Sequence, residues 1–575
     1  MVTMLGMVLM TVSLCAPQSV MAEQGFRTQE RAMITADNAS KDRQWAVLPL
    51  LTIGEGSGSS ANINASMLDY RPPGALDGIG AFAIDEQTVR ILVNHELEAS
   101  EGYPYRLSNG AVLTGARISY FDIDTESRVL KAGGLAFDRV IDRGGREVAH
   151  AVQIDEGFNG GGFDSFCSAH AVQASDSEFQ SDIFFVGEEV AEFGEEAEDG
   201  FGGQAVAMDV KHRVAYVVPM LGRAAFENVV TIETGSRDKI ALLIGDDRQA
   251  GALYLYIGQK GGIPEKNNDY QPPGFLVQNG LGLGRLFVWV ADNGERTPEQ
   301  FHGTGEKRSG QFIPIKHFDP TYSAQENHDV FGFASLALQD IRADAVGAFM
   351  FSRPEDIAVN PADPAQIVMA STGRGGVFSD VWGMIYRIDI DLDKKSLNGS
   401  IETIEGIPAT ITILFDGNDA GAGRFRTPDF GLRSPDNLDW AGDGNIYIQE
   451  DRATVPEEMF GKQSGREASV WQMNPKSGEL LRILEIDRTA VPVGQIDTEF
   501  GSIGAWESSG VVDVSHFFRP GSAGSSRSNS VALLVTVQSH GYLPALLVEV
   551  QGLQRDLVEG GQLLLDQSNC PTRVI

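Results

Sequence analysis

The sequence predicts an all-β protein, a closed β-propeller of six blades carrying long loop insertions. Three observations lead there. Short strand-like runs recur from about residue 77 almost to the end, separated by Gly- and Asp-rich turns, with few helical stretches between them. The 575 residues include 66 Gly and 24 Pro, a composition suited to many turns. One layout also repeats: an acidic residue, an inner hairpin strand, a tight turn and a return strand. No half-way break divides the repeats, which favours one propeller over a two-sheet sandwich.

The layout is clearest at Ser434-Pro435-Asp436-Asn437-Leu438-Asp439-Trp440. Leu438 and Trp440 alternate with polar neighbours, Asp443-Gly444 supplies the turn, and Ile446 and Ile448 alternate on the way back, up to Glu450-Asp451. Asp436 is expected just ahead of the first strand, at the end of the sheet. A second copy runs from Arg353-Pro354-Glu355-Asp356-Ile357-Ala358-Val359 to Ile367-Val368-Met369. A third pairs Asp77-Gly78-Ile79-Gly80-Ala81-Phe82 with Val89–Val93 and ends in Asn94-His95-Glu96.

The remaining elements follow in order. Residues 1–22 read as an export signal, with an apolar run from Met4 to Cys15 and a small-residue site at Val20-Met21-Ala22. Arg27 is the first basic residue, so no cation precedes that run; a lipid anchor on Cys15 is the alternative. The protein is therefore expected to be exported, to the periplasm or beyond the cell. Residues 23–70 read as an extended lead-in, 71–555 as the propeller and 556–575 as a C-terminal tail. Arg117–Asp124 alternates; residues 142–165 read as a long loop; Asp182–Gly187 is a short strand running into Glu188-Glu189. Gln204–Met220 is a further hairpin that leads to Leu221–Glu227. Residues 262–346 are less regular and read as an insertion, with Gln325–Asp340 as its helix. Strands resume from Arg353 to Val550.

Charge narrows the function. Lys and Arg number 45 against 79 Asp and Glu, a net −34, so nucleic acid and anionic membranes are poor partners. Beyond residue 22 no run is long enough to cross a bilayer, so stable membrane insertion is not expected. An anionic substrate would be repelled unless cations sit in its pocket. The three cysteines, Cys15, Cys167 and Cys570, do not make a disulfide scaffold. Signatures for a serine-hydrolase elbow, a phosphate-binding Gly-rich loop, His-Glu-x-x-His and paired Cys-x-x-Cys are all missing.

Propeller geometry gives the acidic positions a meaning. Inner strands of successive blades line one channel, so residues at the equivalent inner position converge although they are far apart in sequence. Glu227, Glu355 and Asp436 would then face a common volume, joined by Glu188 or Glu189 and by Asp77. Packed carboxylates must be protonated, paired with Arg or neutralised by cations. Hard oxygen ligands suit Ca²⁺, and a thiolate would add a transition metal. Each residue also has a plainer reading. An acid before a strand can be a turn former. Asp389, Asp391 and Asp393 read as the solvent face of an edge strand, Glu192–Asp199 as a solvated loop, and Cys167 as a buried thiol or a partner for Cys570.

Taken in order, Asp77–Phe82 with Asn94-His95-Glu96, Phe166-Cys167-Ser168, Gly187-Glu188-Glu189, Gly222-Arg223 with Glu227, Gly245-Asp246-Asp247, Arg353-Pro354-Glu355 and Ser434-Pro435-Asp436-Asn437 resemble the PhoX-type alkaline phosphatases over residues 75–540. The resemblance implies a six-bladed exported propeller that hydrolyses small phosphorylated metabolites at an iron–calcium cluster. It implies Fe³⁺ bound by Cys167 with Glu189 and Glu227, and Ca²⁺ bound by Glu355 and Asp436, with Glu188 beside them. It further implies that Arg353 contacts the phosphate and forms the catalytic pair with Glu355. The twin-arginine signal usual in that family is missing here. Two alternatives stand beside this reading: a non-catalytic calcium-stabilised binding propeller, and a calcium-dependent esterase or lactonase.

Overall fold

Alternating apolar residues build strands throughout, and the computed structural model is all-β and propeller-like. It describes residues 25–37, 44–55, 70–154, 161–190, 202–264, 270–373, 377–392, 397, 399–452, 455–456, 458–518, 530–544 and 559–569. The export signal at 1–22, the Glu192–Asp199 run, Asp393, Cys15, Cys570 and the strand expected near 546–550 lie outside these residues.

The sheets stack around a channel. Leu76–Asp85, Thr88–His95, Arg117–Asp124 and Leu130–Leu135 form one four-stranded sheet. His170–Val172, Ile183–Gly187, Ala205–Asp209, Val214–Val217 and Arg139–Ile141 form the next. Pro435–Trp440 opens a sheet through Ile446–Glu450, Ser469–Met473 and Leu480–Ile486. Their first strands touch in sequence around the channel: Leu76–Asp85, His170–Val172, Phe226–Ile232, Pro354–Val359, Pro435–Trp440, Trp506–Asp513, and back to Leu76–Asp85. Between the sheets lie apolar layers such as Trp289, Phe349, Phe351 and Tyr386, whose rings meet edge to face or tilted.

Several segments differ from the sequence expectation. The lead-in supplies two strands: Ile34–Ala36 edges the sheet beside Leu480–Ile486, and Gln44–Thr52 pairs antiparallel with Gly560–Asn569. The latter strand comes from the expected tail and sits between Gln44–Thr52 and Ala532–Ser539. Burying Trp45, Leu50, Leu563 and Leu565 drives this, because those side chains would otherwise face water. The expected insertion at 262–346 contributes Gly284–Ala291 and Lys307–Ile315, which lie inside a nine-stranded sheet. Its helix is Leu336–Val346, shifted from the expected Gln325–Asp340. Ser335 Oγ caps the Leu338 N–H at one end, and Gly347, at φ 85°, ends it in a left-handed cap.

The inner strands share one local distortion. Register shifts between Leu76 and Ile79, Phe226 and Val229, Pro354 and Ile357, Pro435 and Leu438, and Ser508 and Val511. Each bulge frees two consecutive residues from ladder pairing and re-aims their side chains. The freed first residues are Asp77, Glu227, Glu355, Asp436 and Ser509. Asp436 thus lies inside its strand, not ahead of it as expected, because the bulge turns it toward the channel. Ala75, Arg353 and Ser434, just before three of these strands, have φ of 50°, 60° and 41°, a conformation costly for residues with a Cβ. Gly78 is required where it stands: a Cβ there would lie 2.4 Å from Ala169 N and 2.8 Å from Cys167 O.

Side chains in the second bulge position, and those near it, tie blades together. Asp356 Oδ2 accepts the Leu438 N–H at 2.9 Å, and Asp439 Oδ2 accepts the Asp513 N–H at 2.6 Å. Asn94 donates to the Cys167 carbonyl at 2.8 Å. Such buried bonds contribute about 1 kcal/mol each and cost more when half is removed. No helix among the described residues is long and apolar enough to cross a membrane.

Candidate metal centre

The bulges bring their acids to one end of the channel. The antiparallel return strands end there too, so the residue after each return strand lies at that end of the channel. Those residues are Glu96, Glu188, Asp247, Thr372, Asp451 and His540. Two tiers of polar side chains therefore meet: Asp77, Glu227, Glu355 and Asp436 from the bulges, and most of the second set from the loops.

Three overlapping groups have ligand atoms within 4.8 Å of one another: Asp77, Glu96 and Cys167; Cys167, Glu189 and Glu227; and Glu227, Asp247 and Glu355. Cys167 Sγ links the first two, lying 3.2 Å from Asp77 Oδ2 and 3.4 Å from Glu227 Oε1. One thiol proton serves only one of these oxygens. Burial, then Asp77 and Glu227, push the Cys167 thiol well up. Cys167 is free of any disulfide.

The electrostatics are unfavourable without a further positive charge. Burial and then Glu96 push Asp77 up to about 7; burial and then Glu507 push Glu96 up to about 7. Burial and Glu355 raise Glu227, burial and Asp247 raise Glu355, and burial and Glu227 raise Asp436, each well above the carboxylate range. Glu227 Oε2 and Asp436 Oδ1 are buried and have no hydrogen-bond partner. A carboxylate oxygen left bare in a dry interior costs several kcal/mol unless it is protonated or ligates a cation. This orphaned pair, in a donor set of many hard oxygens and one soft sulfur, fits bound metal ions.

Arg353 is the cation built into the centre. Its Nε and NH2 donate to the two Asp247 oxygens at 2.8 and 2.6 Å, and NH2 also meets Glu355 Oε1 at 3.1 Å. Burial works against the Asp247 anion, but the Arg353 guanidinium outweighs it and holds Asp247 below the usual carboxylate range. Arg353 NH1 is buried without a partner. A guanidinium clamped on one edge and bare on the other is set to receive an anion. Thr372 Oγ1 lies 2.6 Å from Glu355 Oε1 and 3.0 Å from the Pro435 carbonyl, fixing the Glu355 rotamer.

Of the residues singled out from the sequence, Cys167, Glu189, Glu227, Glu355 and Arg353 come together, with Asp77, and Asp436 is coupled to them through Glu227. Glu188 does not join them. Its carboxylate turns back to accept the Asp164 N–H at 3.2 Å and the Gln204 N–H at 3.1 Å. Glu188 still bridges Phe166 in extended backbone, where consecutive side chains point to opposite sides, so neighbouring Glu188 and Glu189 face different ways. Glu96, Asp247 and Glu507 carried no assigned role. A usable signal was present: each of the first two directly follows a return strand.

An all-β channel protein with a buried, cation-seeking acidic centre is the class defined by this fold and site. The family follows from sequence: the model for "Alkaline phosphatase PhoX" matches residues 205–491, and over that span the chain belongs to the PhoX family. Among solved structures, Pseudomonas fluorescens PhoX in complex with vanadate, a transition state analogue, is 15% identical, with a TM-score of 0.53 over 95% of this chain and 98% of that one. That likeness shows the fold. A luciferin-regenerating enzyme is 10% identical with a TM-score of 0.21 over 68% of this chain and 88% of that one, too slight to carry an argument. No curated protein matches the chain in sequence.

Proposed function

We propose that this protein is an exported, metal-dependent phosphatase acting on phosphate monoesters of small metabolites. The observation that carries the reading is the pairing of bare buried carboxylate oxygens, Glu227 Oε2 and Asp436 Oδ1, with the bare Arg353 NH1 in one centre. A cation-seeking surface beside an anion-seeking donor suits a phosphate ester held between metal and arginine. Family membership supports the same reading.

By donor chemistry, Ca²⁺ would be held by Glu227, Asp247 and Glu355 with Asp436 nearby, and Fe³⁺ by Cys167 with Glu189 and Glu227. When bound, such ions supply Lewis acidity and cancel phosphate charge. The chain's own groups do the rest. Asp247 holds the guanidinium plane so that NH1 stays free for a phosphoryl oxygen. That hydrogen bond strengthens as charge builds on the oxygen in the transition state. Glu355, fixed by Thr372, keeps Arg353 from swinging out. Burial of the floor excludes bulk water, so each of these contacts acts at low dielectric.

The test combines elemental analysis with phosphate release from an aryl phosphate at alkaline pH. Iron with calcium, turnover, and loss of turnover on chelation or in Glu355→Gln and Cys167→Ala are expected. Metal-replete protein with no turnover, or a Cys167→Ala variant with unchanged metal content and rate, would refute the reading. Calcium alone without hydrolysis would instead identify a calcium-stabilised binding propeller.

A further inference from the structure

The wall of the channel mouth opposite Arg353 has a charge of its own. Arg353 precedes the strand Pro354–Val359, which stands three places around the channel from Leu76–Asp85. The loop after that sheet's return strand carries Glu96 and then Glu98 and Glu101. It is joined to the metal centre by backbone bonds: Ser165 N–H to the Leu97 carbonyl at 2.9 Å, and Glu189 N–H to the Ser165 carbonyl at 3.0 Å. Asp164 sits on the middle layer of this stack. Glu559 arrives from the next sheet, bonded to His540 Nδ1 at 2.9 Å, while His540 Nε2 faces Glu507 at 3.2 Å.

Glu98 and Glu101 pair with no Lys or Arg among the described residues; the Glu98 N–H donates to Glu101 Oε2 at 3.2 Å. Glu101 is half-buried, and burial together with Glu98, Glu559 and Asp164 raises its pKa, so the four acids share one field. A second observation points to a ligand here. Gln538 is 2% exposed, and its Nε2 donates to Glu96 Oε2 at 2.9 Å, which fixes the amide orientation. Its Oε1 is then a buried acceptor with no partner, in the same wall as His540.

We infer that the alcohol portion of the substrate lies against Glu98, Glu101, Asp164 and Glu559, so that the enzyme favours phosphate monoesters of ammonium-bearing and neutral alcohols over those whose alcohol portion carries additional negative charge. This rests on the phosphatase reading above. A phosphate at Arg353 fixes one end of the substrate, and the other end meets an acidic wall with a spare hydrogen-bond acceptor. An ammonium group there gains Coulomb energy, and a carboxylate or second phosphate loses it.

The metal-replete wild type and the Glu98→Gln/Glu101→Gln variant would be assayed on phosphoethanolamine, n-propyl phosphate and phosphoglycolate. The variant-to-wild-type ratio of kcat/KM for each substrate cancels intrinsic reactivity. At low ionic strength the ratio should fall about fivefold for phosphoethanolamine and rise about fivefold for phosphoglycolate, each shift shrinking in concentrated salt. For n-propyl phosphate it should stay within about twofold, since no charge is met. Metal content should match wild type. Equal shifts for all three substrates, or none, would overturn this inference alone. No turnover of any substrate by the wild type would overturn the phosphatase reading and the inference with it.

Discussion

Two buried charge clusters sit within three residues of each other in one hairpin, and they are built to opposite rules. Arg433 donates to Glu450 through Nε at 3.1 Å and NH2 at 2.6 Å, to Asp429 at 3.3 Å, and to the Arg466 and Glu467 carbonyls. Glu450 also accepts the Trp471 indole N–H at 3.0 Å, Asp429 accepts three backbone N–H groups, and Phe460 covers the guanidinium at 3.8 Å. Those charges are fully partnered by protein. Asp436, three residues on, has a buried oxygen with no partner and like charges around it. Burial alone therefore does not mark a functional carboxylate. At Asp436 the missing partner coincides with a crowd of like charges, and it is that combination that sets it apart.

The contrast can be broken or sharpened by experiment. Arg353→Met removes the half-bare guanidinium and should lower kcat by about 10²–10³-fold, and because it leaves Asp247 without its cation the metal-free protein should also melt lower, as steady-state kinetics and melting would show. Arg433→Met strips the fully partnered hub and leaves Glu450 and Asp429 as uncompensated buried anions. It should destabilise by about 3–5 kcal/mol in urea unfolding, while the rate per folded molecule stays near wild type. If Arg433→Met instead lost metal and kept its stability, the two clusters would not differ as described.

pH separates them as well. Asp77 and Glu96 are raised from 3.8 and 4.5 to about 7, and Glu507, by burial and Asp451, to about 8. The folded state thus holds protons that the unfolded chain releases. These groups contribute stability that is fully present below about pH 4 and lost as pH rises through about 7 to 8. Metal-free protein should therefore weaken between pH 5 and 8 by on the order of a few kcal/mol. Added metal should abolish the loss, measured by urea unfolding with and without chelator.

Glu189→Gln should weaken metal binding by about 10–100-fold, read by elemental analysis after dialysis, whereas Glu188→Gln should leave metal content intact and cost about 1 kcal/mol of stability. Thr372→Val should have the smallest effect, a loss of about fivefold in kcat/KM from a slackened Glu355.

Much of this was legible in the chain. The hairpin at 434–451 announced itself through period-two alternation, because Leu438 and Trp440 face an apolar layer while Asn437 and Asp439, alternating with them, make polar contacts. The hairpin at 353–371 followed from its matching layout. The convergence of Glu227 and Glu355 followed from topology once equivalent strands were matched, whereas Cys167 entered the site only through the family resemblance. What could not be read was rotation. Glu188 and Glu189 are chemically identical, and only the register of the extended backbone that carries them decides which one faces the channel. The bulges at Asp77, Glu227, Glu355 and Asp436 were equally hidden, since no residue type specifies them. Gln44–Thr52 and Gly560–Asn569 were missed for another reason: each has its partner some 500 residues away, and local pattern carries no trace of it.

That long-range pairing bears on how the molecule is made. Until residue 560 or so has left the ribosome, Gln44–Thr52 has no strand to zip against, and the last sheet stays ajar. The inner ring itself closes where Trp506–Asp513 and Ala532–Ser539 meet Leu76–Asp85, so the acidic centre is assembled only after the middle blades have been made.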